Sequence, residues 1–100
     1  MLEVKVRIPR GADLSAADRL VEACCAKEGL AMTVKMSLRM HDDNVHWHFK
    51  KSAERGTLEI TLLRAERGIS FYVHDNRRGP WTAAAIRKLK PAIERGLKPE

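Results

Sequence analysis

The 100-residue chain has only two cysteines, which are neighbours, only five aromatic residues, and no long apolar run. Each scarcity excludes something. Cys24 and Cys25 adjoin inside a helical pattern, where a disulfide would strain the backbone and close no loop, so a disulfide-stapled framework is ruled out and both read as buried thiols. The apolar runs are far too short to span a bilayer, so no membrane partner is expected. No glycine-rich cofactor loop, nucleophile elbow or paired-carboxylate motif occurs, so no cofactor is expected and the sequence leans away from an enzyme. The start, Met1-Leu2-Glu3-Val4-Lys5-Val6, alternates like a strand and lacks the apolar stretch of a leader; a cytoplasmic protein is expected.

Acidic residues are scarce at one end. The net charge is +6, and residues 77–100 hold seven Lys and Arg against two acidic residues, whereas residues 1–76 are almost neutral. Such local excess marks a face for an anionic partner or a solvated basic helix. With 44% hydrophobic and 32% charged residues, the chain reads as one globular domain over residues 1–100.

What is abundant is alternation. Met32, Val34, Met36 and Leu38; Val45, Trp47 and Phe49; Leu58, Ile60 and Leu62; and Ile69, Phe71 and Val73 recur with period two, the signature of half-buried strands. Short polar connections, Met40 to Asn44, Lys51 to Gly56 and Leu63 to Gly68, predict antiparallel neighbours. Leu2 to Ile8 predicts an earlier strand with Glu3, Lys5 and Arg7 facing outward. A first helix is expected over about Ala16 to Glu28, capped by Ser15 with Asp18 and ended by Gly29. A second begins near Trp81 or Thr82 with Ile86, Leu89, Ile93 and Leu97 as its stripe, and Pro91 should kink or split it.

The order β-α-β-β-β-β-α defines an α+β class: one five-stranded, mainly antiparallel sheet with both helices on one face. In element order, though in no sequence motif, it resembles the TATA-box-binding-protein-like arrangement. Fold resemblance of this kind implies no particular function.

Matching apolar residues across strands gives core rows Val34-Phe49-Leu58-Val73, Met36-Trp47-Ile60-Phe71 and Leu38-Val45-Leu62-Ile69. The opposite face then carries the rows Lys35-His48-Glu59-Tyr72, Ser37-His46-Thr61-Ser70 and Thr33-Lys50-Thr57-His74. Lys35, His46, His48, Glu59, Tyr72 and His74 are therefore candidates for a ligand site, with His48 as acid or base and Glu59 orienting it. His46 and His48 share a face at the spacing a metal needs, with Glu59 the best third ligand and His41, Asp42, Asp43 and the more distant His74 as alternatives. Lysine among these neighbours disfavours a cation, so no metal is assigned.

A second constellation lies at one end of the sheet. The Lys51–Gly56 and Asp75–Pro80 loops should adjoin there, gathering Lys50, Lys51, Arg55, Arg77 and Arg78 at the mouth of the second helix, with Arg87 and Lys88 further along its solvent arc beside Arg95 and Lys98. These seven residues, from Lys50 to Lys88, are the candidate anion or nucleic-acid contacts. No exposed aromatic pair accompanies them, since only Tyr72 faces outward. The leading expectation is a small binding module for nucleic acid or another anionic partner. The alternatives are a ligand-binding protein or enzyme using the sheet face, and a homodimer or protein-interaction module joined through sheets or edge strands.

Overall fold

The computed structural model describes residues 1–38 and 43–97. In chain order its elements are β1 (Leu2–Arg7), α1 (Leu14–Lys27), β2 (Ala31–Leu38), β3 (Asn44–Lys50), β4 (Leu58–Leu63), β5 (Gly68–Val73) and α2 (Thr82–Gly96), with a 3₁₀ turn at Asp75–Arg77. The strands form one open antiparallel sheet in the order β1-β5-β4-β3-β2. This is an α+β architecture. α1 links the two edge strands, and no described helix is long and apolar enough to cross a membrane.

The central register agrees with the apolar pattern. Phe49 opposes Leu58, Ile60 opposes Phe71, and Leu62 opposes Ile69. Trp47, Phe49, Leu58, Ile60, Leu62, Ile69, Phe71 and Val73 join Val6 and Ile8, the α1 residues Ala17, Val21 and Cys25, and the α2 residues Ile86, Leu89 and Ile93 in one core. Trp47 donates Nε1–H to Glu22 Oε2 on α1 at 2.9 Å, which fixes the helix-covered face as the one Trp47 occupies.

The edge strand β2 departs from the expected register by one residue. The pairing is irregular between Met32 and Val34, after which Val34 opposes His48, Lys35 opposes Trp47, Met36 opposes His46 and Ser37 opposes Val45. One residue of slip exchanges the two faces of a strand. The expected core rows therefore fail at β2: Val34, Met36 and Leu38 lie on the open face, and Met36 is 44% exposed. Lys35 lies on the helix face, correcting its expected place beside His48. The physical reason is a set of polar partners: its ammonium reaches Glu22 at 2.5 Å and Asp18 at 3.2 Å, 5.8 Å from the Trp47 ring centroid.

Helix ends differ in detail. α1 starts earlier than expected because Asp13, not Ser15, caps it, its Oδ1 accepting from Ser15 N–H at 2.9 Å. Gly29 follows the C-terminus in the left-handed region at φ 77°, as its position predicts. Pro91 does not split α2, which runs unbroken from Thr82 to Gly96; the proline is exposed, and Leu89 and Ile93 on either side of it are fully buried.

Two loops lock together beside α2. Thr57 N–H donates to Arg77 O at 2.9 Å, and Trp81 Nε1–H donates to Arg55 O at 2.9 Å. Thr57 is thereby buried in the junction and not displayed on the open face. A Cβ on Gly79 would come 1.8 Å from Arg55 O, so only glycine permits this approach. At the other end of the sheet, Arg67 Nη2 donates to the carbonyls of Pro9 and Ala12 at 2.9 and 2.6 Å, tying the β4–β5 turn to the connection before α1.

Candidate metal centre on the open sheet face

Opposite the helices, the central strands present the row Val34-His48-Glu59-Tyr72-Glu3 beside the row Met36-His46-Thr61-Ser70-Lys5. Alternation on β3 sends His46 and His48 to the same side while Val45, Trp47 and Phe49 enter the core. Glu59 opposes His48 from β4, and His74 projects just beyond β5.

These side chains converge on one carboxylate. Glu59 is only 8% exposed although it stands on the uncovered face, because its neighbours enclose it. His46 Nε2 lies 3.2 Å and His48 Nε2 3.6 Å from Glu59 Oε1, and the two imidazole nitrogens are 3.0 Å apart. The other carboxylate oxygen, Oε2, faces His74 Nε2 at 3.0 Å and Arg77 Nη1 at 3.8 Å. Each oxygen thus has its own set of partners.

Further contacts fix the rings. His46 Nδ1 is 2.7 Å from Thr61 Oγ1, its neighbour across the strand pair. A hydroxyl there can accept the Nδ1 proton, which leaves Nε2 with a free lone pair toward His48 and Glu59. The His46 and His48 rings meet edge to face at 5.0 Å, as do Tyr72 and His74 at 4.6 Å. Burial pushes the His48 imidazole below its ordinary pKa, partly opposed by the Glu59 charge, so the neutral, electron-donating form is favoured.

Among the described residues, the three groups whose donor atoms lie together closely enough for one ion are His46, His48 and Glu59. His74 touches only the outer oxygen, and so occupies the shell around that set. Asp43 stands outside it, exposed, with φ 57° and its carbonyl accepting from Arg64 Nε. His41 and Asp42 lie outside the described residues. Shallow depressions of about 340 and 400 Å³ flank Glu59, one bordered by Lys5, His46, Thr61 and Tyr72, the other by His48, His74, Asn76 and Arg77.

The expected basic residues border several neighbouring parts of the surface. The expected loop contact is present, and Arg55, Arg77 and Arg78 are exposed around it. Lys50 ends β3, half-buried, and pairs with Ala31 rather than Thr33. Lys51 and Lys88 border a different cleft, of about 230 Å³, with Glu28, Glu54 and Trp81, where Lys88 lies 3.8 Å from Glu28. Arg87 and Arg95 border an adjoining depression with Cys24 and Lys27, and Glu28 and Lys88 line both. Lys98 lies outside the described residues.

From the sequence, His46, His48, Glu59 and His74 are candidates for a ligand face with no metal assigned, and Thr61 and Asn76 have no role. Thr61 was legible in principle, since it follows Glu59 by two and shares its face. No protein-family model, curated protein or solved structure matches the chain, so the site rests on its own geometry.

Proposed function

We propose that this protein binds a first-row divalent transition-metal ion on its open sheet face through His46 Nε2, His48 Nε2 and Glu59 Oε1. The supporting observation is the donor triangle, with edges of 3.0, 3.2 and 3.6 Å. Tetrahedral zinc with bonds of about 2.0–2.1 Å needs donors about 3.3 Å apart. The circle through these three donors has a radius of about 1.9 Å, so an ion at bonding distance sits just above their plane with the donors already in place.

Two histidines and one carboxylate form a set used by zinc and by non-haem iron, and both ions keep open positions when so bound. Thr61 on His46 Nδ1, and His74 and Arg77 on Glu59 Oε2, supply the outer contacts that orient metal ligands. Lys35, one of the lysines that argued against a cation, is committed to α1, while Lys5 stays on the open face at the opposite edge strand, β1.

Calorimetric titration of tag-free, metal-stripped protein with Zn²⁺ at pH 7.5 tests the assignment. One ion per chain is expected, with His46→Ala and Glu59→Gln each weakening binding by about 100-fold or more, beyond the effect of an outer contact. Binding that survives both substitutions unchanged, or no binding by the wild type, refutes it.

A second reading, a module for an anionic partner with nucleic acid first, draws on one observation: the interlocked loops bring Arg55, Arg77 and Arg78 to one end of the sheet. It predicts binding that weakens steeply with salt through counterion release. The TATA-box-binding-protein-like description of the fold adds nothing to either reading, since it rests on element order alone.

A further inference from the structure

Resting on the metal reading, we infer that the occupied site takes a small oxyanion as its exogenous ligand, held between the ion and the guanidinium of Arg77. Three protein donors rise from the strands, so the ion's remaining positions face away from the sheet, toward solvent. Two depressions border the donors, one through His46 and Glu59 and one through His48 and Glu59; the second is bordered by His74, Asn76 and Arg77 and is the one with a guanidinium at its rim.

Charge defines the ligand class. The ion brings +2 and Arg77 brings +1, against one carboxylate, Glu59, in the bordering set. The nearby Asp75 lies within the field of Arg78, and on the other side of Glu59 the carboxylates Glu3 and Glu66 stand with Lys5 around a separate depression. An anion supplies the missing negative charge. The Arg77 fork, half-exposed, matches the paired oxygens of a phosphate or carboxylate, and the Asn76 amide is a further donor.

Shape limits the ligand's size. The depression is shallow, and its five bordering residues are all polar or charged, with no apolar floor for a large hydrophobic body. Recognition is therefore by charge and hydrogen bonding to a compact head group. Phosphate and carboxylate share that chemistry, and the test separates them.

Co²⁺-loaded protein provides the readout, because its visible d–d bands report the ion's coordination directly. Addition of inorganic phosphate or, in a second arm, acetate should shift those bands in the wild type, and the arm with tighter binding identifies the class. Arg77→Gln should weaken anion binding by about 10- to 100-fold. The same change removes an outer contact of Glu59 and should lower Co²⁺ affinity by no more than about 10-fold, so anion binding is read with the site saturated in Co²⁺. Arg10→Gln, far from the site in sequence and exposed, is the control and should match the wild type. Bands that ignore both anions, or an Arg77→Gln protein that responds like the wild type, overturn the oxyanion inference alone. Absence of d–d bands from the wild type overturns the metal reading together with it.

Discussion

Lys35 stands opposite Trp47, across the sheet from the histidine cluster it neighbours in a simple apolar register. Its ammonium lies between Asp18 and Glu22 and over the Trp47 ring, so the residue joins β2 to α1. Lys35→Met keeps the stem and removes the charge. Because the pairs are partly exposed, the loss should be only about 1 kcal/mol in urea unfolding. Zn²⁺ affinity should stay the same. A several-fold gain in metal affinity would mean that the ammonium had been repelling the ion from beside His48, contrary to the register.

Acid sensitivity should trace in part to Glu22. Its carboxyl is held below the ordinary value of 4.5, chiefly by the hydrogen bond from Lys35 and further by Trp47, against a raising effect of burial. The unfolded chain consequently binds more protons between the folded value and 4.5. Stability from this group is complete above that range and is lost as pH falls through the lowered folded value. The contribution is no more than about 1 kcal/mol at this exposure. Urea unfolding between pH 6 and pH 3 should show a shallower pH slope for Glu22→Gln, which can still accept from Trp47. Parallel slopes would contradict the assignment.

Thr61 is expected to matter to the metal without touching it. Thr61→Val removes the hydroxyl that faces His46 Nδ1 at 2.7 Å, freeing the ring to rotate or change tautomer. Zn²⁺ affinity should drop about 10-fold, within the usual span for such outer contacts. Thr61→Ser should restore it. Equal affinities in all three proteins would remove the residue from the site.

The two cysteines should differ in reactivity. Burial raises both thiols, and pushes Cys25 up to about 12. With a thiol reagent at pH 8, Cys24, half-buried, should react slowly, and Cys25 only after denaturant is added. Rapid, equal reaction of both in native protein would show that Cys25 is not packed in the core.

Much of this architecture is legible as pattern. The period-two runs from Val45 to Val73 set both faces of β3, β4 and β5, since central strands have a partner on each side and a slip would bury polar residues. That alternation, with the β3–β4 pairing, brings His46, His48 and Glu59 to one face. The same pattern misleads at β2, where an edge strand pairs on one side only and Met32 and Met36 can remain 46% and 44% exposed. At Pro91 the expected split does not occur, because Leu89 and Ile93 pack into the core on either side of it and α2 continues through.

The amino-acid sequence by itself determined the element order, the inward and outward faces of the central strands, and the sharing of one face by two histidines and a glutamate. Periodicity is local, and chain neighbours suffice to express it. Tertiary structure alone decided that Lys35 leaves that face for α1, and that His74 and Arg77 arrive from beyond β5 to hold the second oxygen of Glu59. Those outcomes depend on long-range ion pairing and on which side chains find partners when distant segments meet, which no repeat within the chain encodes.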